Sequence, residues 1–165
     1  MGRGGEKWGL STMLVYSYFT FVMFVGEYSH SLDTKGRLAI PKLFRSDLLD
    51  GLVITRGIDD CLFLYTKTAW STVSDYISQL PFSKAHVRGF ARLMLAGATN
   101  LTLDKQGRVL LPEYLRIYAH LEKEVVVAGL CNRIEIWNKK DWEVALDNVL
   151  TDKHKIAEQL DTLGL

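Results

Sequence analysis

The sequence predicts an α+β domain in which two copies of one β-rich unit are related by a pseudo-two-fold axis and flanked by helices. Three observations carry that expectation. A phrase occurs twice, as Leu32-Asp33-Thr34-Lys35-Gly36-Arg37-Leu38-Ala39-Ile40-Pro41 and as Leu103-Asp104-Lys105-Gln106-Gly107-Arg108-Val109-Leu110-Leu111-Pro112. The copies hold one register: Gly26 and Gly97, Asp33 and Asp104, Gly36 and Gly107, Arg37 and Arg108, Pro41 and Pro112, and Arg45 and Arg116 are separated by the same interval. Matching apolar runs follow each copy, Leu52-Val53-Ile54 against Val125-Val126-Val127 and Leu62-Phe63-Leu64-Tyr65 against Ile134-Glu135-Ile136-Trp137, and then Trp70 against Trp142. A solenoid needs at least about three repeats to bury a continuous core. Two copies therefore predict one domain, with two examples of one surface turn close together.

Taken in order, Glu27 to Leu32 and Arg37 to Ile40 read as strands around the turn Asp33-Thr34-Lys35-Gly36, where Gly36 supplies the positive φ that closes it. Pro41 suits the first position of a short helix reaching about Leu49, because its missing N–H costs nothing there. Leu52 to Thr55 and Leu62 to Tyr65 are apolar strands around Gly57-Ile58-Asp59-Asp60. A helix from about Thr68 carries Trp70, Val73, Ile77 and Leu80 on one face. Beyond Pro81, a helix from Ser83 to about Leu95 turns Val87, Phe90, Ala91 and Met94 one way and Lys84, Arg88 and Arg92 the other. The second half repeats the plan: strands near Ala98–Leu103 and Arg108–Leu111, a helix near Pro112–Ala119, strands near Glu124–Ala128 and Ile134–Trp137, and a helix near Lys139–Leu150. A separate weak amphipathic tail carries Ile156, Leu160 and Leu163. The expected organisation is a first repeat over 23–80, a connecting helix over 81–96, a second repeat over 97–150 and a tail over 151–165. Residues 1–22 are expected to be an upstream extension, with Met23 the initiator.

With 165 residues, 48% hydrophobic and 24% charged, the chain has the composition of an ordinary globular domain. Its net charge of +1 excludes a broadly basic nucleic-acid coat. Local clustering survives that exclusion, since Lys35, Arg37, Lys42 and Arg45 are answered around the first turn only by Asp33. Leu10 to Val25 is apolar, but Ser11, Thr12, Ser17 and Thr20 interrupt it, and it is shorter than the ~20 residues a spanning helix needs. Cys61 and Cys131 occupy similar places in the two halves without a neighbouring metal-ligand pattern, which predicts two buried, reduced thiols.

Each candidate site residue has a structural and a functional reading. Asp33 and Asp104 can cap their turns by accepting backbone N–H bonds, with the following Arg as partner. Arg37 and Arg108, directly after the turns, can instead project planar forks suited to phosphate or a guanine edge. Two such hairpins could lay their arginines in one major groove, as β-ribbon readers do. The Lys84, Arg88, Arg92 stripe reads first as a solvated face. His30, His86, His120 and His154 are scattered, and none stands in a nucleophile or metal motif. No enzyme activity, metal or cofactor is expected.

The stretches Gly26-Glu27-Tyr28, Leu32-Asp33-x-Lys35-Gly36-Arg37-Leu38, Ile40-Pro41, Thr55-Arg56-Gly57, Cys61-Leu62, Gly97-Ala98-Thr99, Leu103-Asp104-x-x-Gly107-Arg108-Val109, Pro112 and Asn132-Arg133-Ile134-Glu135-Ile136-Trp137 closely resemble the bacterial MraZ proteins. The resemblance runs nearly continuously from Met23 to Trp142. It implies a SpoVT/AbrB-like double-split, swapped-hairpin β-barrel formed by the two halves of one chain. It also implies a cytoplasmic, nucleoid-associated transcription regulator, commonly a repressor, that binds short direct repeats upstream of the division and cell-wall gene cluster as a homo-oligomeric ring. Carried over residue by residue, Asp33, Lys35, Gly36 and Arg37 match the family's DNA-contacting turn, as do Asp104, Gly107 and Arg108. Gln106 stands where the first copy has Lys35, with Lys105 one place earlier, so unequal binding by the halves is expected. Lys35, Lys42 and Arg45 are expected on phosphates, and Arg37 with Arg108 at base edges. The alternative from another class is a protein-interaction or antitoxin-like module of the same superfold.

Overall fold

The computed structural model describes residues 23–161. The expectations for residues 1–22 and for Leu163 lie outside that span.

Strand β1 (Phe24–Ser31) leads through the first turn to β2 (Arg37–Ala39), and two successive 3-10 turns follow, Lys42–Phe44 and Ser46–Leu48. Then come β3 (Leu52–Arg56), β4 (Leu62–Thr66), α1 (Lys67–Ser78) and α2 (Ala85–Leu95). The second half supplies β5 (Thr99–Leu101), β6 (Arg108–Leu110), α3 (Glu113–Tyr118), β7 (Glu124–Cys131), β8 (Ile134–Asn138) and α4 (Lys139–Asp161).

All pairing is antiparallel, and it interleaves the halves. The six-stranded sheet runs β1-β7-β8-β4-β3-β5, and β2 pairs with β6 in a separate two-stranded ribbon. The first strand of each repeated turn joins the other half's strand: β1 lies along β7 with Tyr28 opposite Val127, and β5 lies along β3 with Thr99 opposite Ile54. The second strands pair with each other, placing Leu38 opposite Val109. At the centre, β4 meets β8 with Leu62 opposite Ile136.

The apolar runs follow from burial on both sheet faces, since successive side chains in a strand point to opposite sides. Leu52, Ile54, Leu62, Leu64, Val125, Val127, Ile134 and Ile136 face a core closed by Leu38, Ile40, Phe44, Leu48, Val109, Leu111, Leu115 and Ala119. Phe63, Tyr65, Val126 and Trp137 face the other way, under Ile77 of α1, Ala91 and Met94 of α2, and Trp142 and Ala145 of α4. The β2–β6 ribbon and the three helices thus lie on opposite sides of the main sheet. Phe44 anchors the first 3-10 turn edge-on to Phe24 and Tyr28, at ring-centroid distances of 5.1 and 5.3 Å.

Three features depart from expectation. The helix foreseen after Pro41 is a pair of 3-10 turns, whereas its counterpart after Pro112 is α3. Glu113 places a negative charge at the positive end of α3, while the matching Lys42 places the wrong sign there, and Ser46 and Asp47 compete for backbone bonds. The foreseen break at Thr151 is absent, and α4 runs to Asp161 because no Gly or Pro interrupts residues 139–161. Cys131 is exposed at φ 60 as the last residue of β7, entering the turn to β8 where the Leu130 N–H donates to the Arg133 carbonyl across 2.8 Å. Only Cys61 is a buried thiol, and burial pushes its pKa up to about 12. Among the described residues no helix is long and apolar enough to cross a membrane.

Candidate nucleic-acid interface

Both repeated turns are built by one local chemistry. Asp33 Oδ1 accepts the backbone N–H of Lys35 and of Arg37, each at 2.9 Å, and Oδ2 accepts Arg37 Nε–H at 2.6 Å. Asp104 repeats this with the N–H of Gln106 at 2.8 Å, the N–H of Arg108 at 3.0 Å and Arg108 Nε–H at 2.8 Å. Each aspartate therefore closes its turn and also orients the arginine after it. Gly36 and Gly107, at φ 78 and 75, donate to the carbonyls of Asp33 and Asp104 at 2.9 Å. That conformation is strained for any residue with a Cβ.

The two turns meet through the ribbon. Leu38 and Val109 are fully buried, so the alternate positions Arg37, Ala39, Arg108 and Leu110 face outward. Arg37 lies opposite Leu110 and Arg108 opposite Ala39, which sets the arginines diagonally on one surface. Arg108 Nη2 lies 2.8 Å from Asp104 Oδ2, and its Nη1 reaches to 3.9 Å from Asp33 Oδ2 in the other half.

Hydrogen bonding holds both carboxyls ionised. The Arg37 backbone N–H chiefly lowers the Asp33 pKa; desolvation opposes it as the next largest effect, and the Arg37 side chain and the Lys35 N–H then add to the lowering. The Arg108 backbone N–H and then its side chain take Asp104 down to about 2. Among the described residues the two Nη groups of Arg37 have no hydrogen-bond partner. They form a preoriented donor fork of the type that matches phosphate or the O6/N7 edge of guanine.

Lys35, Lys42, Lys105 and Gln106 are exposed around this surface. Arg45 is half-buried and differently engaged. Its Nε donates to the Ile40 carbonyl at 2.8 Å, and its guanidinium lies against Gly107. Arg116 is its mirror image, with Nε donating to the Leu111 carbonyl at 3.1 Å and the guanidinium against Gly36. Sequence reasoning passed over Arg116 as a site residue, although its identity with Arg45 in the repeat register was the available signal.

The Lys84, Arg88, Arg92 stripe does not join the interface. Arg88 and Arg92 belong to α2, with Lys84 just before its start, and α2 packs on the opposite side of the main sheet; Arg88 Nη1 is spent on the carbonyls of Phe82 and Ser83 at 2.8 and 3.0 Å. His30 lies on β1, where burial and then the charge of Arg45 lower its pKa. His120 Nδ1 is 3.5 Å from Asp141 Oδ2. No group of three His, Cys, Asp or Glu side chains able to hold a metal occurs among the described residues.

Known proteins resemble this chain in sequence. The family model "MraZ protein, putative antitoxin-like" matches twice, over residues 23–93 and 94–162, so the matches meet within α2. A protein of Pediococcus pentosaceus named Transcriptional regulator MraZ is 48% identical over 143 residues, 87% of this chain and all of that protein. One of the same name from Halothermothrix orenii is 46% identical over the same shares. Another, from Natranaerobius thermophilus, is 45% identical over 138 residues, 84% of this chain and 96% of its own.

Proposed function

The chain belongs to the MraZ family, and from that premise we propose that it is a sequence-specific DNA-binding transcriptional regulator, acting as a repressor at promoter direct repeats of the division and cell-wall gene cluster. The single observation that carries this reading is the pair of Asp–Arg turns set side by side on the outer face of the β2–β6 ribbon. The interleaved strand order is read as a double-split, swapped-hairpin barrel of two SpoVT/AbrB-like repeats, with the ribbon as its DNA-facing edge.

In this reading Arg37 and Arg108 address base edges in the major groove, where a two-stranded ribbon fits. Asp33 and Asp104 orient them, Gly36 and Gly107 allow the turns, and Lys35, Lys42 and Lys105 meet phosphates that fix register without reading sequence. A chain of net charge +1 supplies few phosphate contacts. A homo-oligomeric ring that engages several repeats at once restores affinity through effective concentration. The exposed Val144, Val149, Leu150 and Leu160 of α4 support self-association, because a helix leaving the body with so many apolar side chains in water wants a partner. The protein would act in the cytoplasm at the nucleoid, without a cofactor.

The test is a titration against the DNA upstream of the protein's own gene, with scrambled DNA as competitor at physiological salt. Specific binding that requires more than one repeat is expected. Equal affinity for both DNAs overturns the reading and moves the weight to a nonspecific or protein-partner role; a protein-interaction or antitoxin-like module, the latter being the term in the family description, would lack a steep salt dependence.

A further inference from the structure

We infer that Arg45 and Arg116 are reciprocal clamps: each arginine fixes the recognition turn of the opposite half. Arg116 belongs to the second repeat, yet its guanidinium covers Gly36 in the first. A Cβ at Gly36 would stand 2.8 Å from both Cζ and Nε of Arg116. Arg45 covers Gly107 in the same way, with Nε, Cζ and Cδ occupying the space a Cβ would need. Both glycines are buried although they sit in surface turns.

Two further bonds close each clamp. The Leu111 N–H donates to the Gly36 carbonyl at 3.0 Å, while the Leu111 carbonyl accepts Arg116 Nε–H. The Ile40 N–H donates to the Gly107 carbonyl at 3.0 Å, while the Ile40 carbonyl accepts Arg45 Nε–H. The residue after each ribbon strand thus holds the opposite turn through its N–H and its own clamp through its carbonyl. Nothing in either half could make this arrangement alone.

Arginine suits the role and lysine does not. A planar, weakly hydrated guanidinium can lie flat on a glycine peptide while its Nε is fixed in a bond, whereas an ammonium is a hydrated point on a flexible stem. Arg45 and Arg116 are therefore positioning residues that set the spacing of Arg37 and Arg108. Only that last consequence rests on the DNA-binding reading.

The experiment measures amide hydrogen exchange in the free, full-length protein carrying Arg116→Lys or Arg45→Lys. Arg116→Lys should speed exchange of the Lys35, Gly36 and Arg37 amides by about tenfold, the scale of one net hydrogen bond, and leave Gln106, Gly107 and Arg108 near the parent rates. Arg45→Lys should do the reverse. Loosening confined to the mutated half, equal loosening of both turns, or no change overturns the inference. A DNA arm separates clamp from phosphate contact: a clamp variant loses affinity at an unchanged salt slope, whereas a phosphate-contacting arginine is rescued by lysine. Failure of the protein to bind DNA specifically would sink the functional reading and leave the exchange result standing.

Discussion

Arg108 of the second repeat points Nη1 at the Asp33 carboxylate of the first across 3.9 Å while its Nε and Nη2 hold Asp104. Arg108 therefore links the two turns across the pseudo-two-fold axis, whereas Arg37 contacts Asp33 alone.

Replacing Arg37 by alanine should abolish specific DNA binding and leave the melting temperature close to the parent's. Asp33 keeps its two backbone N–H bonds, and a half-exposed ion pair contributes little to stability. Competition binding and a thermal melt measure the two effects together. Retained operator affinity would remove Arg37 from the interface.

Lys35→Ala should weaken binding to operator and scrambled DNA alike and lower the slope of log affinity against log salt by about one, the signature of a lost phosphate contact. Lys105→Ala should have the smaller effect, because Gln106 occupies the place of Lys35 in the second turn. Titrations at several salt concentrations decide it, and an unchanged slope for Lys35→Ala would place that lysine off the backbone.

Gly36→Ala and Gly107→Ala should each destabilise the fold by about 1–3 kcal/mol, through a positive φ combined with displacement of an arginine. Gly89→Ala is the control. Beyond its chain neighbours and the backbone of its own helix, no atom stands within 4 Å of its prospective Cβ in α2, so it should stabilise by about 0.4–1 kcal/mol. Denaturant unfolding of the three variants checks the order.

Acid should loosen the turns late. The folded-state pKa of Asp104 is about 2, below the ordinary aspartate value of 3.8, so its stabilising contribution is fully present above that value. It is lost as pH falls from about 4 to about 2. His30 is also lowered, which favours its neutral form in the folded state. Its contribution is therefore present above about 6.5 and declines as pH falls below that. NMR titration of the Asp104 carboxyl and the His30 ring should find both below their ordinary values.

The proposed self-association through α4 predicts that removing the helix beyond Leu146 leaves a monomer and spares the domain, because the helix packs on the sheet through Trp142 and Ala145 near its start. Native mass spectrometry and a melt report the two outcomes. An unchanged oligomer would shift the self-contact to another surface.

Much of this molecule is written locally, and local features were legible. The repeat register located both turns, and the Asp–x–x–x–Arg spacing foretold a carboxylate capping its turn and gripping the next arginine, because those bonds span only four residues. The Asp-capping reading and the outward-facing arginine reading proved compatible, since one carboxylate does both. Local rules misjudged Cys131, whose turn conformation removed it from the core, and the helix after Pro41, which Lys42 and Asp47 weaken.

By itself, the sequence determined the repeat, most of the element order and the turn chemistry. Only the tertiary structure decided that β1 pairs with β7 and β5 with β3, that the Lys84, Arg88, Arg92 stripe lies behind the sheet, and that Arg116 closes over Gly36. The physical reason is the range of the interactions. Turns and caps are settled by neighbours a few residues away, whereas strand pairing and a clamp between repeats depend on which apolar faces bury each other, and that is fixed only when the whole chain packs.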